Sequence, residues 1–124
     1  MPSKARVEAF VAAVVKGHHV EAMRQFYAED ASMQENLGPI RKGRETLIAG
    51  EQGFLDSIKS INTREPDTVL VDGDKVVIRW IFDIVGKDGG VRVLDELAHQ
   101  TWRGDHIVAE RFYYDPAQMS PAKP

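Results

Sequence analysis

Lys75-Val76-Val77-Ile78-Arg79-Trp80-Ile81-Phe82-Asp83-Ile84-Val85 is the stretch on which the fold turns. Ile78, Trp80, Phe82 and Ile84 recur at every second position, so in a strand they form one strongly apolar face. Val77, Arg79, Ile81, Asp83 and Val85 form the other. Working outward, the period-2 pattern begins near Ile61 and lasts to Asp115, which predicts a sheet of four strands at about 61–71, 75–85, 91–103 and 106–114. The turns Asp72-Gly73-Asp74, Lys87-Asp88-Gly89-Gly90 and Arg103-Gly104-Asp105 predict hairpins and therefore antiparallel neighbours. Pro66 has no N–H for a ladder, which puts it at an edge or a bulge of the first long strand.

Before Ile61 the period is helical. Val7, Phe10, Val11 and Val14 predict a helix over 4–16 that Gly17 ends, and Val20, Met23, Phe26 and Tyr27 give a second, to about Ala28. A short strand with Met33, Glu35 and Leu37 on one face follows. Gly38-Pro39 breaks it, and a third helix over about 44–59 buries Leu47, Ile48, Phe54, Leu55 and Ile58. Helices first and long strands after give an α+β domain over 1–115, with the helices packed on one face of a bent, mostly antiparallel sheet. Pro116, Pro121 and Pro124 predict a loose C-terminal tail over 116–124.

Composition removes several classes of function. The chain has 124 residues, a formal net charge of -3 and no cysteine. That is room for one core, with no basic footprint for nucleic acid and no thiolate, disulfide or sulfur-held metal. The run Met1-Pro2-Ser3-Lys4-Ala5-Arg6 lacks the apolar core of a signal peptide, and no stretch approaches the roughly 20 apolar residues of a membrane span. The expectation is a cytoplasmic protein without a membrane partner. His18, His19, His99 and His106 show no metal-ligand spacing, and no Gly-rich phosphate loop or nucleophile elbow is present, so neither metal nor cofactor is expected.

Glu35 is the first candidate for chemistry. It shares a strand face with Met33 and Leu37, and an inward carboxylate costs free energy unless it is paired or used. The structural alternative is an ion pair with Arg41 or Arg44, or a bond to a backbone amide. On the third long strand Leu94, Glu96, Ala98, Gln100 and Trp102 share a face, and on the last Val108, Glu110, Phe112 and Tyr114 do. If those faces lie under the helices, the interior holds Glu35, Glu96 and Glu110 among aromatic rings. The opposite face, with Val77, Ile81, Val91, Val93 and Leu97, is too apolar for open solvent and predicts a homodimer through the outside of the sheet. Arg79 and Asp83 read as a solvated or interface pair on that side.

The stretches Phe26-Tyr27-Ala28-Glu29-Asp30-Ala31, Met33-Gln34-Glu35-Asn36, Arg41-Lys42-Gly43-Arg44-Glu45, Val76-Val77-Ile78-Arg79-Trp80 and Gly104 to Asp115 resemble the SnoaL-like group of the nuclear transport factor 2-like superfamily, and the likeness covers nearly the whole chain. It implies a cone-shaped α+β barrel whose helices cap a strongly bent sheet around a mostly apolar pocket, usually in a homodimer. Polyketide cyclases, ketosteroid isomerases, limonene-epoxide hydrolases, dehydratases and non-catalytic binders share that frame. Carried over residue by residue, the resemblance sets Glu35 where the isomerases keep their proton-shuttling aspartate. It sets Phe10 and about Ala98 where they keep a tyrosine and a protonated aspartate, so both oxyanion donors are missing. The positions nearest to the arginine and two aspartates of the epoxide hydrolases hold Trp80, Phe82 and Phe112, and Arg79 and Asp83 fall on the opposite strand face, so that triad is not supported. Glu96 or Glu110 falls near the late-strand acid of the cyclase.

Two functions follow as expectations. In the first, a cofactor-independent isomerase, cyclase or lyase acts on a small hydrophobic molecule, with Glu35 and Glu96 as the proton-transferring pair and Phe10, Tyr27, Met33, Trp80, Phe82, Gln100, Trp102, Glu110, Phe112 and Tyr114 around the substrate. In the second, the same aromatic pocket belongs to a binding or accessory module without chemistry.

Overall fold

Ser3 opens the first helix: its hydroxyl accepts the N–H of Arg6 at 3.1 Å, and α1 (Lys4–Val15) runs until Gly17 turns the chain at φ 86°. The structure is a computed structural model and describes residues 1–120. Helix α2 (His19–Phe26) passes directly into β1 (Tyr27–Glu35), and β2 (Arg41–Lys42) pairs back on β1 before Gly43 (φ 95°) starts α3 (Arg44–Ser57). Five more strands complete the sheet: β3 (Ile58–Thr63), β4 (Val69–Asp72), β5 (Lys75–Gly86), β6 (Val91–Arg103) and β7 (His106–Tyr113).

The seven strands form one mixed, strongly curved open sheet in the order β2-β1-β7-β6-β5-β3, with β4 also on β5. Three helices close its concave side and make the cone-shaped α+β fold. The hairpins β5–β6 and β6–β7 are antiparallel as their turns require, whereas β1 lies parallel to β7. What read as a single strand over 61–71 is two. β3 and β4 share one edge of β5, and Pro66 lies in the gap between them, where its missing N–H leaves no ladder bond unmade.

Ile78, Trp80, Phe82 and Ile84 are buried with Val76 on the concave face, which joins Val7, Phe10, Phe26, Leu47 and Ile107 in the core. Phe10 ties the helices to the sheet, its ring edge-on to Phe26, Trp80 and Trp102 at centroid distances of 5.4, 6.4 and 6.2 Å.

Several expectations change. Leu37 is 86% exposed, because β1 ends at Glu35 and Asn36 turns the chain at φ 51°. Val108 does not join the inner face: a bulge between Ile107 and Ala109 shifts the register, so Ile107, Glu110 and Phe112 face inward instead. Ile58 belongs to β3 rather than to the third helix. The tail expected to be loose from Pro116 is ordered to Ser120. Asp115 caps a 3-10 turn (Pro116–Met119), and the Gln118 amide both accepts the N–H of Asp95 and donates to its carbonyl, fastening the turn to β6. The rest of that expected tail lies outside the described residues.

Candidate functional site: an acid-lined cavity under the helices

Between the helices and the concave sheet lies a cavity of about 400 Å³. Alternation supplies most of its wall, since every second residue of a curved strand points into the cone. Of the expected site residues, Phe10, Tyr27, Met33, Glu35, Trp80, Phe82, Glu96, Glu110, Phe112 and Tyr114 line it. Gln100 and Trp102 do not. Both are fully enclosed behind the wall, where the Trp102 indole N–H donates to Gln100 Oε1 at 2.9 Å and the Gln100 amide donates to Glu110 Oε2 at 2.6 Å.

Glu110 is therefore held from two sides. Gln100 is its antiparallel partner across β6–β7, and Tyr27, the first residue of β1, donates its hydroxyl to Glu110 Oε1. Only 3% exposed, Glu110 is raised to about 7 by burial, which the bonds from Gln100 and Tyr27 oppose. The Tyr27 phenol is pushed well above its ordinary range, first by burial and then by the charge of Glu110.

Glu96 differs in kind. It stands opposite Trp80 on the neighbouring strand, is 8% exposed, and has no hydrogen-bonding or cationic partner among the described residues. Burial comes first, with the charges of Glu110, Glu35 and Glu51 behind it, in raising its carboxyl to about 8. Such a group carries its proton at neutral pH and can give it up at modest cost.

Glu35 is not at the cavity floor, as its alternation with Met33 suggests, but exposed at the mouth, where the strand ends. It forms no ion pair with Arg41 or Arg44; Arg44 is engaged by Glu29 and Glu45. The Tyr114 phenol beside it is raised by burial and then by the charges of Glu35 and Glu96. Arg79 and Asp83 do not meet each other either. Arg79 grips Asp95 with two bonds of 3.0 and 2.7 Å, and Asp83 takes two from Arg64, all on the outer face.

Among the lining residues that the sequence reading does not assign to the site are Glu51, His19, Arg41 and Met119. Glu51 sits four residues after Leu47 and three before Phe54, a carboxylate inside the apolar stripe of α3 that helical spacing could have exposed; burial raises it, as does the charge of Glu35. His19, set aside in the sequence for want of metal-ligand spacing, opens α2 buried against Phe82, and burial lowers its pKa, which favours the neutral ring. Arg41 and Met119 come from a two-residue strand and from the C-terminal turn, neither of which has a periodicity to read. Among the described residues no group of three or more metal-ligating side chains converges.

The chain matches the family model of the SnoaL-like domain over residues 7–110, and it belongs to that family. Among solved structures it is similar to a candidate SnoaL-like polyketide cyclase from Mesorhizobium loti, with 26% identity, a TM-score of 0.75, and coverage of 89% of this chain and 97% of that one. A candidate polyketide cyclase from Xanthomonas campestris pv. campestris matches at 23% identity and a TM-score of 0.79, over 93% and 91% of the two chains. The fold is also that of TerC, co-crystallised with polyporic acid, at 15% identity and a TM-score of 0.78 over 93% and 92%. A search of the curated proteins found no match. No helix among the described residues is long and apolar enough to cross a membrane.

Proposed function

We propose that the cavity binds a small, largely apolar molecule and that Glu96 exchanges a proton with it, without a cofactor. The observation that carries this reading is Glu96 itself, a nearly buried carboxyl without a partner inside an aromatic wall, raised to about 8. A group poised near the working pH can act as acid in one half of a reaction and as base in the other. Isomerisation next to a carbonyl, ring closure and elimination all need such a group. Glu110 supports it from behind, since its charge disfavours a second charge on Glu96. Glu35, at the mouth with Tyr114, is placed to receive a proton that leaves toward solvent. The cyclase-like descriptions of the Mesorhizobium and Xanthomonas relatives and the polyporic acid in TerC favour a flat, oxygenated ring system as substrate.

A binding module without chemistry is the second reading, and one observation favours it. The Tyr27 phenol in the cavity wall is already committed to Glu110, and Phe10 offers no donor. Deuterium exchange separates the two. With 2-tetralone in D₂O, an apolar ketone with acidic α-hydrogens, the wild type should speed label uptake and Glu96→Gln should not, although both bind the ketone. Binding with equally slow exchange in both proteins would favour the module.

We also propose a homodimer through the convex face. Leu70, Val91, Val93 and Leu97 are exposed there around the Arg79–Asp95 pair, an apolar patch of the kind that second subunits cover.

A further inference from the structure

Among the described residues, Arg41 is the one arginine without a hydrogen-bonded or ion-paired partner. The sequence holds nine arginines, and among the described residues the other eight each donate a side-chain hydrogen bond to a carboxylate or a backbone carbonyl. Arg41 makes neither a hydrogen bond nor an ion pair there, although it lines the mouth of the cavity together with Glu35 and Glu51. Glu51 acts on it only through space.

Its position is nevertheless built. The backbone of Arg41 is fixed by pairing with Met33 across β1–β2, and its guanidinium lies over Gly50 in the interior of α3. A Cβ at Gly50 would stand 3.2 Å from Arg41 Nη1, so the guanidinium would have to give by a few tenths of an ångström. Glycine inside a helix costs roughly 0.5–1 kcal/mol relative to alanine, and here it leaves the room that the arginine head occupies. Deeper in, Glu96 and Glu110 are raised to about 8 and about 7, and His19 is neutral. Among the described residues of the wall, Arg41 is therefore the single fixed positive charge, held at the opening of a mainly apolar chamber.

We infer that the ligand is amphiphilic, with an apolar body lodged among Trp80, Phe82 and Phe112 and a carboxylate at the mouth received by the guanidinium of Arg41. This rests on the reading of the cavity as a site for a small apolar molecule. A planar guanidinium meets a carboxylate with two parallel N–H bonds, which fixes the orientation of the apolar body relative to Glu96 as well as adding affinity.

Calorimetric titrations at pH 7 with 2-naphthoate, 2-naphthalenemethanol and 2-naphthylmethylammonium test the inference, because the three share a body and differ in the end group. The acid should bind the wild type about ten-fold more tightly than the alcohol, as expected for a charge-assisted contact. In Arg41→Gln that advantage should vanish while the alcohol binds as before and the melting temperature stays within a few degrees. Gly50→Val, which crowds the guanidinium, should reduce the acid's advantage without touching its chemistry. An acid no tighter than the alcohol, an advantage that survives Arg41→Gln, or an ammonium that binds best would overturn the inference and leave the apolar cavity reading intact. Failure of all three to bind would overturn both.

Discussion

Glu96 and Glu110 show how two carboxyls on adjacent strands of one sheet acquire different work. Glu110 is clamped by Tyr27 and Gln100 and cannot turn toward a ligand without abandoning them, whereas Glu96 faces the open chamber with nothing to hold it. The same isolation has a thermodynamic signature. Because folding raises the Glu96 carboxyl from 4.5 to about 8, the native state binds the extra proton between those values. Its contribution to stability is complete below about pH 4.5 and is lost as the pH rises through 8. Glu96→Gln removes this slope, so the variant should gain on the wild type by several degrees in melting temperature between pH 4.5 and 8.5. Scanning calorimetry over that range checks it, and a difference that stays flat with pH would show that Glu96 is ionised in the folded protein. Glu110, left in place, keeps its own slope, which ends lower, near pH 7.

At the scale of elements, the join that makes the cone is the parallel docking of β1 on β7, and Asn36 latches it. Its N–H donates to the Phe112 carbonyl at 2.7 Å, its side-chain Oδ1 accepts the N–H of Tyr114 at 2.9 Å, and its own carbonyl accepts Arg111 Nε at 2.9 Å. It does this at φ 51°, a conformation that asparagine tolerates and alanine resists. Asn36→Gly should thus lose only the side-chain bond, about 1 kcal/mol, and Asn36→Ala roughly 1 kcal/mol more, in urea melts. Equal losses would mean that the backbone there relaxes freely. This join is also where sequence reading stops. The strands β5 and β6 were legible because one face is buried throughout, so hydrophobic alternation and hairpin turns agree along them. A parallel partner leaves no turn between its strands, and a two-residue strand such as β2 has no period. The bulge at Val108 moves the inner face by one residue without any change in composition. For the site, alternation located Glu96 and Glu110 and most of the aromatic wall. It misplaced Glu35 because it carries no information on where a strand ends, and it assigned Gln100 and Trp102 to the cavity because facing inward does not distinguish a wall from what stands behind it.

For the molecule as a whole, one sheet has two uses. Its concave face and three helices enclose the cavity, while its convex face keeps Val91, Val93 and Leu97 at 61, 44 and 44% exposure beside paired charges. A stable dimer there should bury on the order of 1,000 Å² or more. Light scattering at micromolar concentration should report a dimer, and Leu97→Lys, which puts an unpaired charge in that surface, should convert it to a monomer with the fold kept; a wild-type monomer would remove the dimer. The chemistry proposed for the cavity rests on a different property of the whole, a carboxyl at Glu96 that burial raises to about 8 and that has no partner among the described residues. Carbon-13 NMR of protein labelled at the glutamate carboxyl carbons, titrated from pH 3 to 10 and compared with Glu96→Gln, observes that group directly. The resonance missing from the variant should titrate with a midpoint near 8; a midpoint near the ordinary value of 4.5 would contradict the account.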